Sequence, residues 1–311
     1  MLDVPTALAR PTPRSKSQSL SVLQRATKAD VRLDPYPHIV LPNALPEDLY
    51  EELAATFPDP QTLTGVGSQN NKRWNYLAWR VRRNSAIPKL WRDFIAYHAS
   101  QAFYDEIAAL FAEAVCATYP DRFPDEASVK ALRAGLREYD TFARADILMD
   151  AMFSGNTPVT TATSVRTTHV DRGDKLFSGL FYMRPDDYDA IGGDLTISRF
   201  RAHADDPLAR LALFDGPYVD DSHVEHVHTV RYDKNLLVLF INSLDAIHGV
   251  TVREPSDQTR LFINLVGEIE TPLYLVDKKT GPARLVPPGY RVGARNRAKR
   301  WFTAAKHRLR G

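Results

Sequence analysis

Three residues of this 311-residue chain combine the types and spacing that a metal ion needs: His169, Asp171 and His248. In His169-Val170-Asp171 the imidazole and the carboxylate are two positions apart. On an extended chain such residues point to the same face, so the pair converges without help from distant parts of the fold. The run Thr160–Val170 before it is rich in β-branched and small residues and reads as a strand that carries the pair. His248 ends the segment NLLVLFINSLDAIHG, Asn235–Gly249, in which a strongly apolar strand can bring a second imidazole back across a barrel to the first pair. Two His and one carboxylate on one face leave the opposite coordination positions open, a geometry in which Fe(II) can take up further ligands, O2 among them.

A cation completes the set. The segment TRLFINLV, Thr259–Val266, alternates so that Leu261, Ile263 and Leu265 take one packed face. Arg260 then shares the other face with Phe262 and Asn264. A guanidinium held inside a barrel calls for an anion.

These positions need elements to hold them. Pro35-Tyr36-Pro37-His38 leads into Ile39-Val40-Leu41, a short apolar run next to prolines that suits an edge strand. Pro46, with Glu47 and Asp48 behind it, starts a helix carried by Leu45, Leu49, Leu53 and Phe57 and closed at Pro58. The aperiodic stretch Thr62–Arg83, with Trp74, Tyr76 and Trp79, reads as a long loop able to overhang a site. From Pro88 to Tyr119 the apolar spacing predicts one or two amphipathic helices, with Ser100 as a cap between them. From about Phe142 to Leu275 short runs rich in Val, Thr, Phe and Ile alternate with turn residues, among them Gly192-Gly193 before the LTI strand. The fold class expected is mainly β with flanking helices (α+β), a sandwich or jelly-roll barrel with the helices on one outer face.

The order HVD, then GGDLTI, then AIHGV, then an arginine a dozen residues on resembles the 2-oxoglutarate-dependent Fe(II) oxygenases, in particular their prolyl-hydroxylase-like branch. The resemblance covers about Val159–Glu268 and extends more loosely to the opening PYPHIVLPNALPEDLYEEL. It implies a double-stranded β-helix core, with Fe(II) on His169, Asp171 and His248. It also implies that Arg260 pairs with the distal carboxylate of the co-substrate 2-oxoglutarate, whose keto and C1 carboxylate oxygens chelate the iron. The implied reaction consumes O2, decarboxylates 2-oxoglutarate to succinate and hydroxylates a C–H bond of an amino acid, a peptidyl proline or a small metabolite. Related halogenases lack the carboxylate that Asp171 supplies here. Two other classes stay open on the residues alone: a metal-dependent β-barrel isomerase, for which Arg260 needs no 2-oxoglutarate, and a catalytically silent binding module.

Other polar residues read more simply. His223, His226 and His228 lie among Asp220, Asp221 and Glu225 and suit an exposed polar strand or loop better than a second metal site. On a regular strand Arg166 faces away from the iron and Thr167 toward it, and both suit structural roles. Tyr182 reads as a core aromatic within reach of the co-substrate.

Composition sets the frame. Hydrophobic residues make up 44% and charged residues 25%, the balance of a globular protein with a real core rather than a disordered chain. The lone Cys116 excludes an intrachain disulfide framework and a cysteine-based zinc knuckle and reads as a buried thiol. No secretory h-region and no transmembrane span is read, which places the protein in the cytoplasm. Residues 1–29 read as a mobile leader and 30–277 as a single domain, helical first and β-rich from about 142. Residues 278–311 form a basic tail. The net charge of +2 divides into −9 over residues 1–277 and +11 over this tail, which makes a short cationic helix attracted to anionic surfaces a second reading beside a solvated tail. Trp301 and Phe302 offer the tail apolar contacts with the body.

Overall fold

The computed structural model describes residues 19–67, 69–201, 206–276, 281–287 and 289–309. The elements run β1 (His38–Pro42), α1 (Glu47–Ala55), α2 (Pro60–Thr64), β2 (Arg73–Tyr76), α3 (Ala78–Val81), α4 (Lys89–His98), α5 (Gln101–Thr118), α6 (Glu126–Lys130) and β3 (Ala134–Leu136). They continue with β4 (Ile147–Asn156), β5 (Lys175–Tyr182), β6 (Leu195–Phe200), α7 (Pro207–Arg210), β7 (Phe214–Asp215), β8 (Tyr218–Val219), β9 (Val224–Val230) and β10 (Leu236–Ile241). The last are β11 (His248–Val250), β12 (Arg260–Ile269), β13 (Tyr274–Leu275), β14 (Arg284–Leu285) and α8 (Ala294–Leu309).

A larger sheet has the order β1-β10-β5-β12-β4-β2, with β3 alongside β4, and a smaller one the order β11-β6-β9. Strand pairing does not close the two into one barrel among the described residues. The result is a mixed fold of helices on a multi-stranded sheet. Alternation along each strand of the larger sheet divides its side chains between two layers. Leu237, Leu239, Phe181, Ile263, Leu265, Ala151 and Phe153 face the helices, where they meet Trp91, Phe94, Phe103 and Phe111. Val238, Phe240, Tyr182 and Phe262 face the smaller sheet and meet Leu195, Ile197 and Val230. Arg260, Phe262 and Asn264 therefore occupy the inner face, as the alternation of TRLFINLV requires.

Local signals act where expected. The Ser100 hydroxyl accepts from the Phe103 amide at the start of α5. β1 lies at the sheet edge, and Gly192 and Gly193 turn the chain into β6 with φ of 81° and 85°, values that glycine alone adopts without cost. A Cβ on Gly192 would lie 1.7 Å from the Val252 carbonyl oxygen.

Several expectations are overturned. Thr160–Val170 is not a strand: it is an irregular segment pinned by isolated bridges at Thr163 and His169. Its hydroxyls and neighbouring amides satisfy the chain instead, with Ser164 Oγ donating to the Val250 carbonyl (2.6 Å) and Asn70 Oδ1 accepting from the Thr160 amide (2.7 Å). Thr62–Arg83 is not one long loop. It contains β2 and α3, each only four residues long and too short to show a period.

Of the leader, residues 1–18 lie outside the described residues, whereas 19–29 are seated on α4 and α5. Val22 is fully buried and its amide donates to His98 Nε2 (3.1 Å). The tail is also docked. His307 of α8 stacks on Trp79 at 3.8 Å and shares a hydrogen bond with the Glu138 carbonyl (2.9 Å), and Ala304 is fully buried. Trp301 and Phe302 are not what docks it, since both remain exposed.

Candidate metal centre

His169 and His248 sit directly opposite each other across an isolated antiparallel bridge, with ring centroids 4.3 Å apart. His248 opens β11, which β6 holds by pairing with it in register at Ile197. Between the two ligands of the His-x-Asp pair, the Val170 side chain points the other way, into a cluster with Phe214, Val219, Ile247 and Tyr274. One residue thus anchors the loop in the core while its neighbours are presented to the cavity. The Tyr274 hydroxyl donates to the Asp171 carbonyl (2.8 Å) and fixes the loop from behind.

His169, Asp171 and His248 each offer a ligand atom, and these atoms lie within 4.8 Å of one another. All three side chains are buried. Each imidazole shares a hydrogen bond through Nδ1 with the carbonyl two residues earlier, His169 with Thr167 (2.6 Å) and His248 with Ala246 (2.9 Å). Those bonds fix Nδ1 as the protonated nitrogen and leave each Nε2 lone pair for a metal. Burial holds both imidazoles below their ordinary pKa, and the neighbouring Arg166 acts in the same direction, so both are neutral ligands at neutral pH. This is a 2-His-1-carboxylate triad, the donor set that suits Fe(II) and leaves coordination positions free. Among the described residues no other group of His, Cys, Asp or Glu meets the same criterion, and His226 and His228 lie exposed on β9.

Asp171 is held by three donors. Arg166 Nη1 reaches Oδ1 (3.0 Å), while Lys175 Nζ (2.9 Å) and Ser178 Oγ (2.6 Å) reach Oδ2. Asn242 in turn donates to the Ser178 hydroxyl (3.1 Å). Burial alone raises the Asp171 pKa, but Lys175, His248 and Arg166 together overcome it and keep the carboxyl well below the usual range. Arg166 therefore turns toward the site, against the regular-strand expectation, because the segment before His169 is not a strand. Thr167 contributes its carbonyl to His169 and does not line the cavity.

Arg260 enters the same cavity from β12. It is almost fully buried, its guanidinium packs against the rings of Tyr232 (4.7 Å), Tyr182 (4.8 Å) and Phe262 (5.1 Å), and its Nε and Nη2 have no hydrogen-bond partner. The Tyr182 hydroxyl beside it is likewise buried; burial raises its pKa and the Arg260 guanidinium opposes that rise. Arg253, equally buried, shows the contrast. Its guanidinium donates to Asn71 Oδ1 (2.8 Å) and to the carbonyls of Thr157 (3.0 Å) and Gln258 (2.8 Å). Both Nη atoms of Arg253 find protein acceptors and only its Nε lacks one, whereas Arg260 leaves Nη2 as well as Nε without an acceptor.

Sequence reasoning missed Arg73, Lys175, Ser178 and Asn242, all close to the triad. Lys175 and Ser178 follow Asp171 by four and seven positions across a turn, a spacing that carries no periodic signal.

No family model matches the chain, and no curated protein matches it. Among solved structures it is similar to a prolyl-4-hydroxylase from Pseudomonas putida, at 14% identity over 75% of this chain and 93% of that one, with a TM-score of 0.39. A prolyl 4-hydroxylase from Phytophthora capsici is 13% identical over 96% of this chain and 77% of that one, with a TM-score of 0.42. HygX from Streptomyces hygroscopicus, with nickel and 2-oxoglutarate bound, is 13% identical over 75% and 82%, with a TM-score of 0.35. These likenesses are distant, and the functional reading rests on the geometry of the site.

Proposed function

We propose that the chain is an Fe(II)- and 2-oxoglutarate-dependent oxygenase that hydroxylates a C–H bond of a small-molecule or peptide substrate, with residues 30–277 as one domain. The two facing sheets are read as the halves of a double-stranded β-helix. The observation that carries the proposal is the pairing, in one cavity, of a buried 2-His-1-carboxylate triad with a buried arginine whose Nε and Nη2 have no acceptor.

His169, Asp171 and His248 would hold Fe(II), which with 2-oxoglutarate supplies O2 activation driven by decarboxylation to succinate. Arg260 receives the distal carboxylate as a planar fork, a geometry that fits two oxygens better than an ammonium point charge does. Tyr182, whose ring packs against that guanidinium, would donate its hydroxyl to the same carboxylate. The aromatic walls keep water from the guanidinium and strengthen the pairing. Ser178 and Lys175 orient the Asp171 carboxylate. No helix among the described residues is long and apolar enough to cross a membrane. A cytoplasmic location suits both the Fe(II) site and a chain with one thiol.

Anaerobic titration of metal-free protein with Fe(II) and 2-oxoglutarate tests the reading through the visible charge-transfer band of the chelate. Wild type gives the band, His248→Ala abolishes it, and Arg260→Ala requires more 2-oxoglutarate. Iron binding without any band would favour metal-dependent isomerase chemistry, and folded protein that binds no iron would favour a silent binding module.

A further inference from the structure

Arg73 and Arg260 pair in register with the same residue, Asn156, from opposite sides of β4. Residues directly opposite one another across neighbouring strands project to the same face, so the three side chains form one rung on the cavity wall. Phe262, one step further along β12, takes both guanidiniums on its ring, Arg260 at 5.1 Å and Arg73 at 5.4 Å. The buried polar atoms of this rung that lack partners are all donors: Nδ2 of Asn156 and Nε and Nη2 of Arg260.

Arg73 has little to balance its charge. Among the described residues its side-chain hydrogen bond is a long one, 3.5 Å to Asn75 Oδ1 on its own strand. The acid nearest in effect is Asp171, whose two oxygens are already taken by Arg166, Lys175 and Ser178 and which belongs to the triad. Asp171 favours the charged form of the Arg73 guanidinium, and Arg166 and Arg260 disfavour it. Solvent still reaches Arg73, which lines the cavity from the short edge strand β2. A 2-oxoglutarate bound to Arg260 by its distal carboxylate and to the metal by its other end has no carboxylate left for Arg73.

We infer that Arg73 anchors a carboxylate of the primary substrate, so that the compound oxidised is an organic acid. The inference rests on the assignment of 2-oxoglutarate to Arg260. It also disfavours amines without an acid group, because Arg73, Arg166 and Lys175 together line the cavity with positive charge that Asp171 alone does not cancel.

The test uses benzoate as a carboxylate probe and benzamide as its uncharged counterpart, titrated by calorimetry into anaerobic Fe(II)·2-oxoglutarate protein. Wild type is expected to bind benzoate saturably and benzamide not at all. Arg73→Gln should weaken benzoate by about tenfold or more, the scale of a lost charge-assisted hydrogen bond, and Arg73→Lys should restore part of it. The 2-oxoglutarate half-saturation of the charge-transfer band should move less than about twofold in Arg73→Gln and about tenfold in Arg260→Gln. Equal benzoate affinity in wild type and Arg73→Gln, no benzoate binding by wild type, or a loss of 2-oxoglutarate affinity in Arg73→Gln as large as in Arg260→Gln would each overturn the inference. If wild type fails to bind 2-oxoglutarate, the functional proposal falls separately. Benzoate titrated into Arg260→Gln protein, with and without Arg73→Gln, then decides whether Arg73 holds a carboxylate.

Discussion

His169 and His248 exchange both of their backbone hydrogen bonds, His169 N to His248 O at 2.8 Å and His248 N to His169 O at 2.9 Å. The two imidazole ligands are therefore set by main-chain pairing between segments almost eighty positions apart, and side-chain rotamers only finish the geometry. Metal affinity should accordingly respond to backbone changes that touch no ligand.

Gly173 provides such a change. A Cβ there would lie 2.0 Å from the Tyr274 carbonyl oxygen, so Gly173→Ala must separate the Asp171 loop from β13 and strain the Tyr274 bond to Asp171. We expect a loss of about 2–4 kcal/mol in stability, the range of severe backbone clashes. Thermal unfolding of the metal-free protein and competition with a chelator for the metal would read both effects. Unchanged metal affinity would show that the loop is not held from this side.

Arg260→Lys keeps the charge and removes the fork. The 2-oxoglutarate affinity should fall by about tenfold, or about 1.4 kcal/mol, while Fe(II) binding without 2-oxoglutarate stays as in wild type. An equal affinity in the two proteins would mean that the site uses Arg260 as a point charge only.

The Arg300 guanidinium of α8 donates to Asp174 Oδ2 (3.2 Å), three residues beyond the metal carboxylate. Burial raises the Asp174 pKa, Glu268 adds to this, and Arg172, Arg300 and Lys175 oppose it. Arg300→Ala should cost about 1–2 kcal/mol, less than for a fully buried pair because Arg300 is partly exposed and Arg172 also bonds Asp174. Deletion of residues 291–311 should exceed that cost, because the stack of His307 on Trp79 is lost as well. Denaturant titrations of the three proteins would show the order, and a deletion no worse than Arg300→Ala would refute a stabilising role for the helix end.

His98 should give the fold a pH dependence of its own. Buried between α4 and the N-terminal segment, it shares a hydrogen bond through Nδ1 with the Phe94 carbonyl and accepts one from the Val22 amide, and burial pushes its pKa down to about 4. Its folded pKa lies below the unfolded value of 6.5, so the unfolded chain binds more protons in that window. The stabilisation is complete above pH 6.5 and is lost as pH falls toward 4, by about 3 kcal/mol. His98→Gln should flatten that part of the stability profile, and the same slope in both proteins would assign the dependence to other groups.

The sequence by itself determined the His169–Asp171 pair, the face of β12 that carries Arg260, the helices around Ser100 and the glycine turn before β6. Each of these depends on neighbours within a few positions: i and i+2 on an extended chain, alternation along one strand, a capping hydroxyl, or a positive φ. Tertiary structure alone decided the rest. Arg166 turned inward because the chain before His169 is pinned by bridges to distant segments and not by a regular ladder. Arg73 reached the cavity because four residues of an apparent loop pair with β4 beside Asn156, a register that no local pattern encodes. The docking of α8 likewise depends on partners, Trp79, Glu138 and Asp174, that lie far from it in sequence. Local chemistry is written in short spacings, whereas the charges that surround the metal site come from segments that only the folded sheet brings together.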